Sequence, residues 1–111
     1  MGKQRAMQEA SFLILTALAG GSQHGYGIVT DVARISSGTV HLKAGTLYAA
    51  LDRLSADGLI EPDREEVVDN RLRRYYRITS DGAERLASEA RRLQVNANAA
   101  LTRLRLGVAT S

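Results

Sequence analysis

The chain has 111 residues, of which 44% are hydrophobic, and this length and composition suit one domain with a single core. The absence of cysteine excludes disulfides and thiolate chemistry, and no apolar run is long enough to cross a bilayer, so we expect a cytoplasmic protein without a membrane partner. Lys and Arg outnumber Asp and Glu by 15 to 12, a mild excess that excludes no class of partner.

Two helices are predicted at the start of the chain. Residues 8–19 are apolar nearly all round, which is typical of a helix buried on more than one side, and Gly20-Gly21 ends it. A second helix is predicted over residues 24–35, with Ser22 as its N-cap. Gly25 and Gly27 weaken the helix propensity of its first turn, which indicates that another element packs closely there.

The third predicted helix has one apolar face and one polar face. A loop at residues 36–39 and a possible extended piece at 40–42 precede it, and it is predicted over residues 44–57. Gly58 follows and can adopt the left-handed conformation that closes a helix. One face carries an apolar stripe at positions i, i+3, i+4 and i+7, formed by Leu47, Ala50, Leu51 and Leu54. The side chains of the opposite face are short and polar, so this face can approach another surface closely.

A β-hairpin is predicted next, with arms at residues 60–68 and 72–78 and a turn at Asp69-Asn70. Its charge is segregated. The segment from Asp57 to Asp69 holds six acidic residues and one basic residue, whereas the segment from Arg71 to Arg77 holds four arginines and no acid. Opposite charges across the two arms favour antiparallel pairing, and the concentrated arginines indicate a surface that faces phosphate.

A long last helix is predicted over residues 81–106, with Asp81 and Glu84 at the spacing of a capping box. Apolar residues recur along it in a heptad pattern and form a seam for a partner helix, with alanines that allow close approach. The seam residues are Leu86, Ala90, Leu93, Ala97, Ala100 and Leu104. Packing of this seam on the chain's own core is the alternative, but the length of the helix favours a homodimer.

Several motifs occur in an order that resembles the PadR family of bacterial transcriptional regulators. They are His24-Gly25-Tyr26-Gly27, Gly45-Thr46-Leu47-Tyr48, Asp57-Gly58-Leu59-Ile60 and the run from Arg73 to Thr79. The resemblance covers residues 8–106. It implies a mainly α fold with a small β-hairpin, in which residues 1–79 form a winged helix-turn-helix and residues 80–111 form a dimerisation helix and tail. It also implies a dimeric repressor joined through the first and last helices, with Phe12 and Leu15 in that interface.

The expected main partner is double-stranded DNA with an inverted-repeat operator. A helix that enters the major groove presents its N-terminal residues to the bases, and basic residues at a hairpin tip reach phosphate or the minor groove. The candidate DNA-binding residues are therefore Lys43, Thr46, Tyr48, Arg53, Arg71, Arg73 and Arg74. The alternative function is a winged-helix protein–protein module that never touches DNA.

A small-molecule effector is a further possible partner, and its expected site is the groove between the first and last helices near Phe12, Leu15 and Asn96. Members of the family that bind planar drugs use a Trp on the last helix. This chain has none, so we expect no tight flat aromatic ligand. No catalytic residue, cofactor or metal is expected, because the acids lie on predicted solvent-facing positions and the two histidines are isolated.

Overall fold

Three helices and one strand end enclose the hydrophobic core of the computed structural model, which describes residues 6–109 and the side chains as far as Leu104. The helices are α1 (Glu9–Ala19), α2 (Gly25–Ile35) and α3 (Ala44–Ala56). The most deeply buried side chains of the core are Ile14, Leu15, Leu18, Ile28, Val32 and Leu51 of these helices and Ile60 at the start of the first hairpin strand. The predicted stripe of α3 is confirmed, since Leu47, Ala50, Leu51 and Leu54 are each at most 3% exposed.

The hairpin is formed by β2 (Ile60–Val68) and β3 (Arg71–Ile78), within one residue of the predicted arms. Asp69 and Asn70 both have positive φ, at 51° and 64°, as a two-residue hairpin turn of the mirror-image type requires. A two-residue strand, β1 (Gln23–His24), pairs with β3 and completes a three-stranded antiparallel sheet in the order β1-β3-β2. Strand β1 is not predicted from the sequence, because two residues are too few to show the alternation of apolar and polar side chains that marks a strand.

Helix α3 ends as predicted at Gly58, whose φ is +75°. The Gly58 N–H donates to the Ser55 carbonyl, and the Leu59 N–H donates to the Leu54 carbonyl. These two bonds are those of a Schellman motif. They satisfy carbonyls at the end of the helix and turn the chain directly into β2, so the hairpin follows α3 without a loop.

The last helix, α4 (Ser80–Ala109), begins against the junction between α3 and β2. The Thr79 hydroxyl donates to the Gly58 carbonyl at 2.7 Å and accepts from the Gly82 N–H at 3.0 Å. Thr79 is therefore the residue that caps α4. The prediction of a capping box at Asp81 and Glu84 is wrong, because the helix starts one residue earlier and Thr79 already satisfies the N–H of Gly82.

Only the first third of α4 packs on the body of the chain. Glu89 is 3% exposed, and its carboxylate accepts from the Met7 N–H at 3.1 Å and pairs with Arg92 at 2.5 Å. These hydrogen bonds, above all the one from Arg92, hold the pKa of Glu89 below its usual range. From position 90 to position 104 every residue is exposed. The predicted division into a DNA-binding domain at residues 1–79 and a dimerisation helix at residues 80–111 stays a prediction. Residues 1–5 and 110–111 of these two ranges lie outside the described part.

Gly82 generates a stability prediction, because a Cβ at this position would lie 2.0 Å from the Leu59 carbonyl oxygen. Gly82→Ala must push α4 away from the α3–β2 junction, so we expect the free energy of unfolding to fall by roughly 2–4 kcal/mol. Urea denaturation at a fixed protein concentration measures the change. Gly45→Ala is the control, since no atom lies within 4 Å of its Cβ position, and it should gain about 0.5–1 kcal/mol. Equal urea midpoints for Gly82→Ala and wild type would contradict the prediction.

Candidate nucleic-acid interface

The N-terminal half of α3 projects from the body of the chain. Lys43 is the N-cap residue, and Lys43, Thr46 and Tyr48 are all exposed, while Leu47 between them is anchored in the core. Gly45 and Ala49 on the same exposed side carry almost no side chain. A short, polar helix end without bulky side chains can approach the edges of bases closely.

A cleft of about 820 Å³ separates this end of α3 from the hairpin. The cleft is lined by the end of β1 and the start of α2, by the side of α3 that faces the hairpin, and by β3. The lining residues are His24, Gly25, Tyr26, Tyr48, Asp52, Arg71, Leu72, Arg73, Arg74 and Tyr76. The fold therefore brings Tyr48 and the three predicted wing arginines to one surface.

Tyr48 is 52% exposed, which favours a surface role over a core role for this ring. Its hydroxyl lies 3.0 Å from the position that a Cβ on Gly25 would occupy. A larger residue than glycine at the start of α2 would displace the hydroxyl, so Gly25 has the close packing role that its position predicts. Tyr76, in contrast, is half-buried and packs against the core.

Tyr26 also lies on this surface, although it is not among the predicted DNA-binding residues. It is 78% exposed in the first turn of α2 and lines the cleft. Its hydroxyl can donate a hydrogen bond to an anion. The available signal was its position outside the apolar stripe of α2, where a large aromatic ring has no core to enter.

His24 joins the hairpin to α2. It is the N-cap of α2, and the Gly27 N–H donates to its Nδ1 at 3.3 Å, which corrects the expectation that Ser22 is the cap. Its ring meets Tyr75 of β3 edge to face at 5.2 Å between centroids. Partial burial, and secondly the nearby guanidinium of Arg73, lower the pKa of His24. The neutral ring is therefore favoured, and only a neutral ring has a free lone pair on Nδ1 for the cap.

Acidic residues of β2 neutralise the arginines near the base of the hairpin. Arg77 pairs with Glu61 at 2.7 Å and Asp63 at 3.2 Å, and Arg64 lies 3.8 Å above the ring of Tyr75. Further out, Arg74 pairs with Glu65 at 3.3 Å. Within the described part of the chain, Arg71 and Arg73 take part in no ion pair. The positive charge is thus least compensated at the tip.

Arg53 lies apart from the other candidate DNA-binding residues. Its guanidinium donates to the Gln8 side chain and to the Ser11 hydroxyl, both at 3.3 Å, on the side of α3 that faces α1. It does not line the cleft. Arg53 is thus separate from the cleft, and its predicted contact with DNA stays a prediction.

The predicted dimerisation residues fall into three groups. Leu86 and Phe12 are half-buried and pack against the chain's own core. Leu15 is 0% exposed inside that core. Its predicted place in a dimer interface and in an effector groove is therefore corrected, because it offers no surface to either. The exposed group consists of Ala90, Leu93, Ala97, Ala100 and Leu104, and Asn96 of the predicted effector groove is exposed as well.

Neither a metal site nor a membrane span is found among the described residues. No group of three or more His, Asp or Glu side chains in this part of the chain could hold a metal ion. Between residues 6 and 109, no helix combines the length and the apolar character needed to cross a membrane.

The chain is similar to known transcriptional regulators. The model of the transcriptional regulator PadR-like family matches residues 14–88. A transcriptional regulator of Mycobacterium tuberculosis is 37% identical over 81 residues, which cover 73% of this chain and 72% of that protein.

Solved structures share the fold. A PadR family transcription regulator of Clostridium difficile superposes with a TM-score of 0.73 at 23% identity, covering 87% of this chain and 99% of that one. PadR of Bacillus subtilis in complex with operator DNA superposes with a TM-score of 0.64 at 22% identity, covering 73% of this chain and 46% of that one.

The His24 cap generates a prediction about pH. Because folding lowers the pKa of His24, the folded state binds fewer protons, so stability should fall as the pH drops from 7.5 to 5.5 through the unfolded value near 6.5. His24→Asn keeps a capping side chain and should lose that part of the slope, whereas His24→Ala should cost about 1 kcal/mol at pH 7.5. Thermal unfolding across this pH range measures both effects. The same slope in wild type and His24→Asn would refute the assignment.

Proposed function

The chain belongs to the PadR-like family of DNA-binding transcriptional regulators, and on that premise we propose that it acts as a dimeric repressor at an inverted-repeat operator. The observation that carries the proposal is the shared surface formed by the exposed start of α3 and the hairpin tip. Lys43, Arg71 and Arg73 on this surface have no ion pair within the described residues. Their charge is available to phosphate, and Tyr26 and Tyr48 add hydroxyl donors beside it.

The two parts of this surface would divide the work on DNA. The start of α3 would enter the major groove, where Lys43 and Thr46 reach base edges. The wing arginines would meet the phosphate backbone or the minor groove, and Arg71 and Arg73 would contribute more than Arg74, which Glu65 already neutralises. The operator complex of the Bacillus subtilis neighbour, which shares the fold, supports DNA as the partner.

Dimerisation would use the exposed part of α4. Leu93 is 38% exposed and Leu104 is 78% exposed, and apolar side chains at heptad spacing on a projecting helix are covered best by a second copy of the same helix. A dyad between two such helices would place two copies of α3 in successive major grooves. The half-sites would then be centred about one helical turn, roughly 10 bp, apart.

Repression, release by a small molecule and a cytoplasmic location complete the proposal. An effector would bind where α1 and α4 of two subunits meet, near Phe12 and Asn96, because a ligand at that place can change the relative orientation of the two DNA-binding heads. The location follows from access to the chromosome. A protein–protein module that never touches DNA is the alternative, and salt-dependent binding to duplex DNA separates the two.

DNA binding is tested by fluorescence anisotropy with a duplex from upstream of the chain's own gene and with a random duplex of equal length, at several salt concentrations. Arg71→Gln should weaken both complexes about equally and reduce the salt slope by about 1 per lost phosphate contact in each subunit. Arg74→Gln should have a smaller effect because of the ion pair with Glu65. Thr46→Ala should change the ratio of the two affinities. Wild type that binds neither duplex would refute the proposal.

Dimerisation is tested with two substitutions on α4. Leu93→Glu places a charge inside the proposed seam and should cost on the order of 3–5 kcal/mol of association free energy, which gives monomers at micromolar concentration. Val95→Glu is the matched control, because Val95 is 67% exposed and points about 200° away from Leu93 around the helix. Sedimentation velocity distinguishes the species. A monomeric wild type, or loss of the dimer in Val95→Glu alone, would contradict the proposed seam.

A further inference from the structure

Two apolar side chains at the tip of the hairpin are exposed to solvent. Val67 is 72% exposed and Leu72 is 55% exposed, and they are directly paired across β2 and β3. Directly paired residues of an antiparallel ladder lie on the same face of the sheet, so the two side chains form one apolar patch. Only the pair Val68–Arg71 and the turn Asp69-Asn70 lie beyond them.

The patch faces the side of the molecule where DNA is proposed to lie. Leu72 lines the cleft together with Tyr48 of α3, so this face of the hairpin is turned toward the helix that enters the major groove. Arg71 and Arg73 precede and follow Leu72 along β3, so their side chains leave from the opposite face of the hairpin, and neither has an ion pair within the described residues. A hairpin tip with an apolar patch on one face and guanidinium groups on the other is complementary to a groove whose walls are sugars and whose edges are phosphates.

Stabilisation of the hairpin alone does not account for the patch. Further from the turn the strands are joined by polar contacts, the ion pair of Glu65 with Arg74 and the hydrogen bond from the Tyr75 hydroxyl to Glu66. Threonine would provide the same strand propensity as Val67 without exposing apolar surface to water. A contiguous exposed apolar patch beside a surface proposed to bind DNA is a candidate contact site.

We propose that Val67 and Leu72 contact the deoxyribose walls of the DNA minor groove, with Arg71 and Arg73 on the phosphates to either side. This inference rests on the proposed DNA-binding function and assigns a separate, uncharged part of the affinity to the hairpin tip. Apolar side chains are a known means by which proteins occupy the minor groove. The contact buries hydrocarbon and releases no counterions, because neither residue carries a charge.

This origin of the affinity has a distinctive signature. Loss of an arginine contact lowers the affinity and the salt slope together, whereas loss of an apolar contact lowers the affinity equally at every salt concentration. Val67→Thr is nearly isosteric and Leu72→Thr introduces a β-branched strand former, so both variants should retain the hairpin. From the apolar area involved, we expect each to weaken binding on the order of 5- to 10-fold.

The experiment uses the full chain with the upstream and random duplexes at four salt concentrations, and compares wild type, Val67→Thr, Leu72→Thr, Arg71→Gln and Val95→Thr. Val95→Thr is the matched control, because it makes the same isosteric change at an equally exposed position on α4. Hydroxyl-radical footprinting reports directly on shielded sugars, since the radical removes hydrogen from deoxyribose. Melting temperatures verify that each variant is folded.

Weaker binding of both duplexes by the two threonine variants, with an unchanged salt slope and loss of sugar protection beside the half-sites, supports the inference. Wild-type affinity and footprint in both variants, with Arg71→Gln still reducing the salt slope, overturn it while the proposed function stands. A reduced salt slope in the threonine variants also overturns it, because the patch would then only position the arginines. Absence of DNA binding by wild type would refute both proposals. Because wild type is measured first, this result is distinguished from failure of the apolar contact alone.

Discussion

The direct contact between α4 and the chain that links α3 to β2 determines the geometry of the molecule. Gly82 has no side chain, and the Leu59 carbonyl oxygen occupies the space where a Cβ would lie. Thr79 adds hydrogen bonds to both sides of the same junction. Helix α3, the hairpin and α4 all leave from this point. Their relative directions are therefore set by backbone packing, which is far stiffer than contacts between long side chains.

A second connection between α4 and α3 runs through the start of α1. Glu89 of α4 accepts from the Met7 N–H, and the next residue, Gln8, accepts from Arg53 of α3. Glu89 is buried, so its charge needs the guanidinium of Arg92 and the N–H of Met7 to offset desolvation. This chain of polar contacts explains why Arg53 is not part of the cleft. The helix proposed to carry the dimer contact is thereby joined to the helix proposed to read DNA.

The distribution of charge on the hairpin follows from its register. Because β2 and β3 are antiparallel, the acids of β2 lie opposite the arginines near the base and in the middle of β3. The ladder ends with Val67–Leu72 and Val68–Arg71, where β2 offers no acid. A chain with a net charge of only +3 can therefore present a strongly basic tip. Its position beside α3 makes that local excess useful for binding a polyanion.

The sequence by itself determined most features that depend on neighbours along the chain, the N-caps of α2 and α4 excepted. Hydrophobic periodicity predicted the four helices, the alternating charged arms predicted the hairpin, and Asp69-Asn70 and Gly58 predicted the turn and the helix end. The motif order also identified the family. Local conformation is decided by side chains a few residues apart, so a single sequence contains this information.

Only the tertiary structure decided which of several equivalent residues has which partner. Thr79 caps α4 because it meets the Gly58 carbonyl, and no spacing rule relates these two residues. Leu15 is enclosed by other elements, although its position in an all-round apolar helix is equally compatible with an interface. Arg74 has Glu65 opposite it, whereas Arg73 is opposite Glu66, which the Tyr75 hydroxyl engages at 2.9 Å. These outcomes depend on contacts between residues distant in the chain, and such contacts exist only after the core has formed.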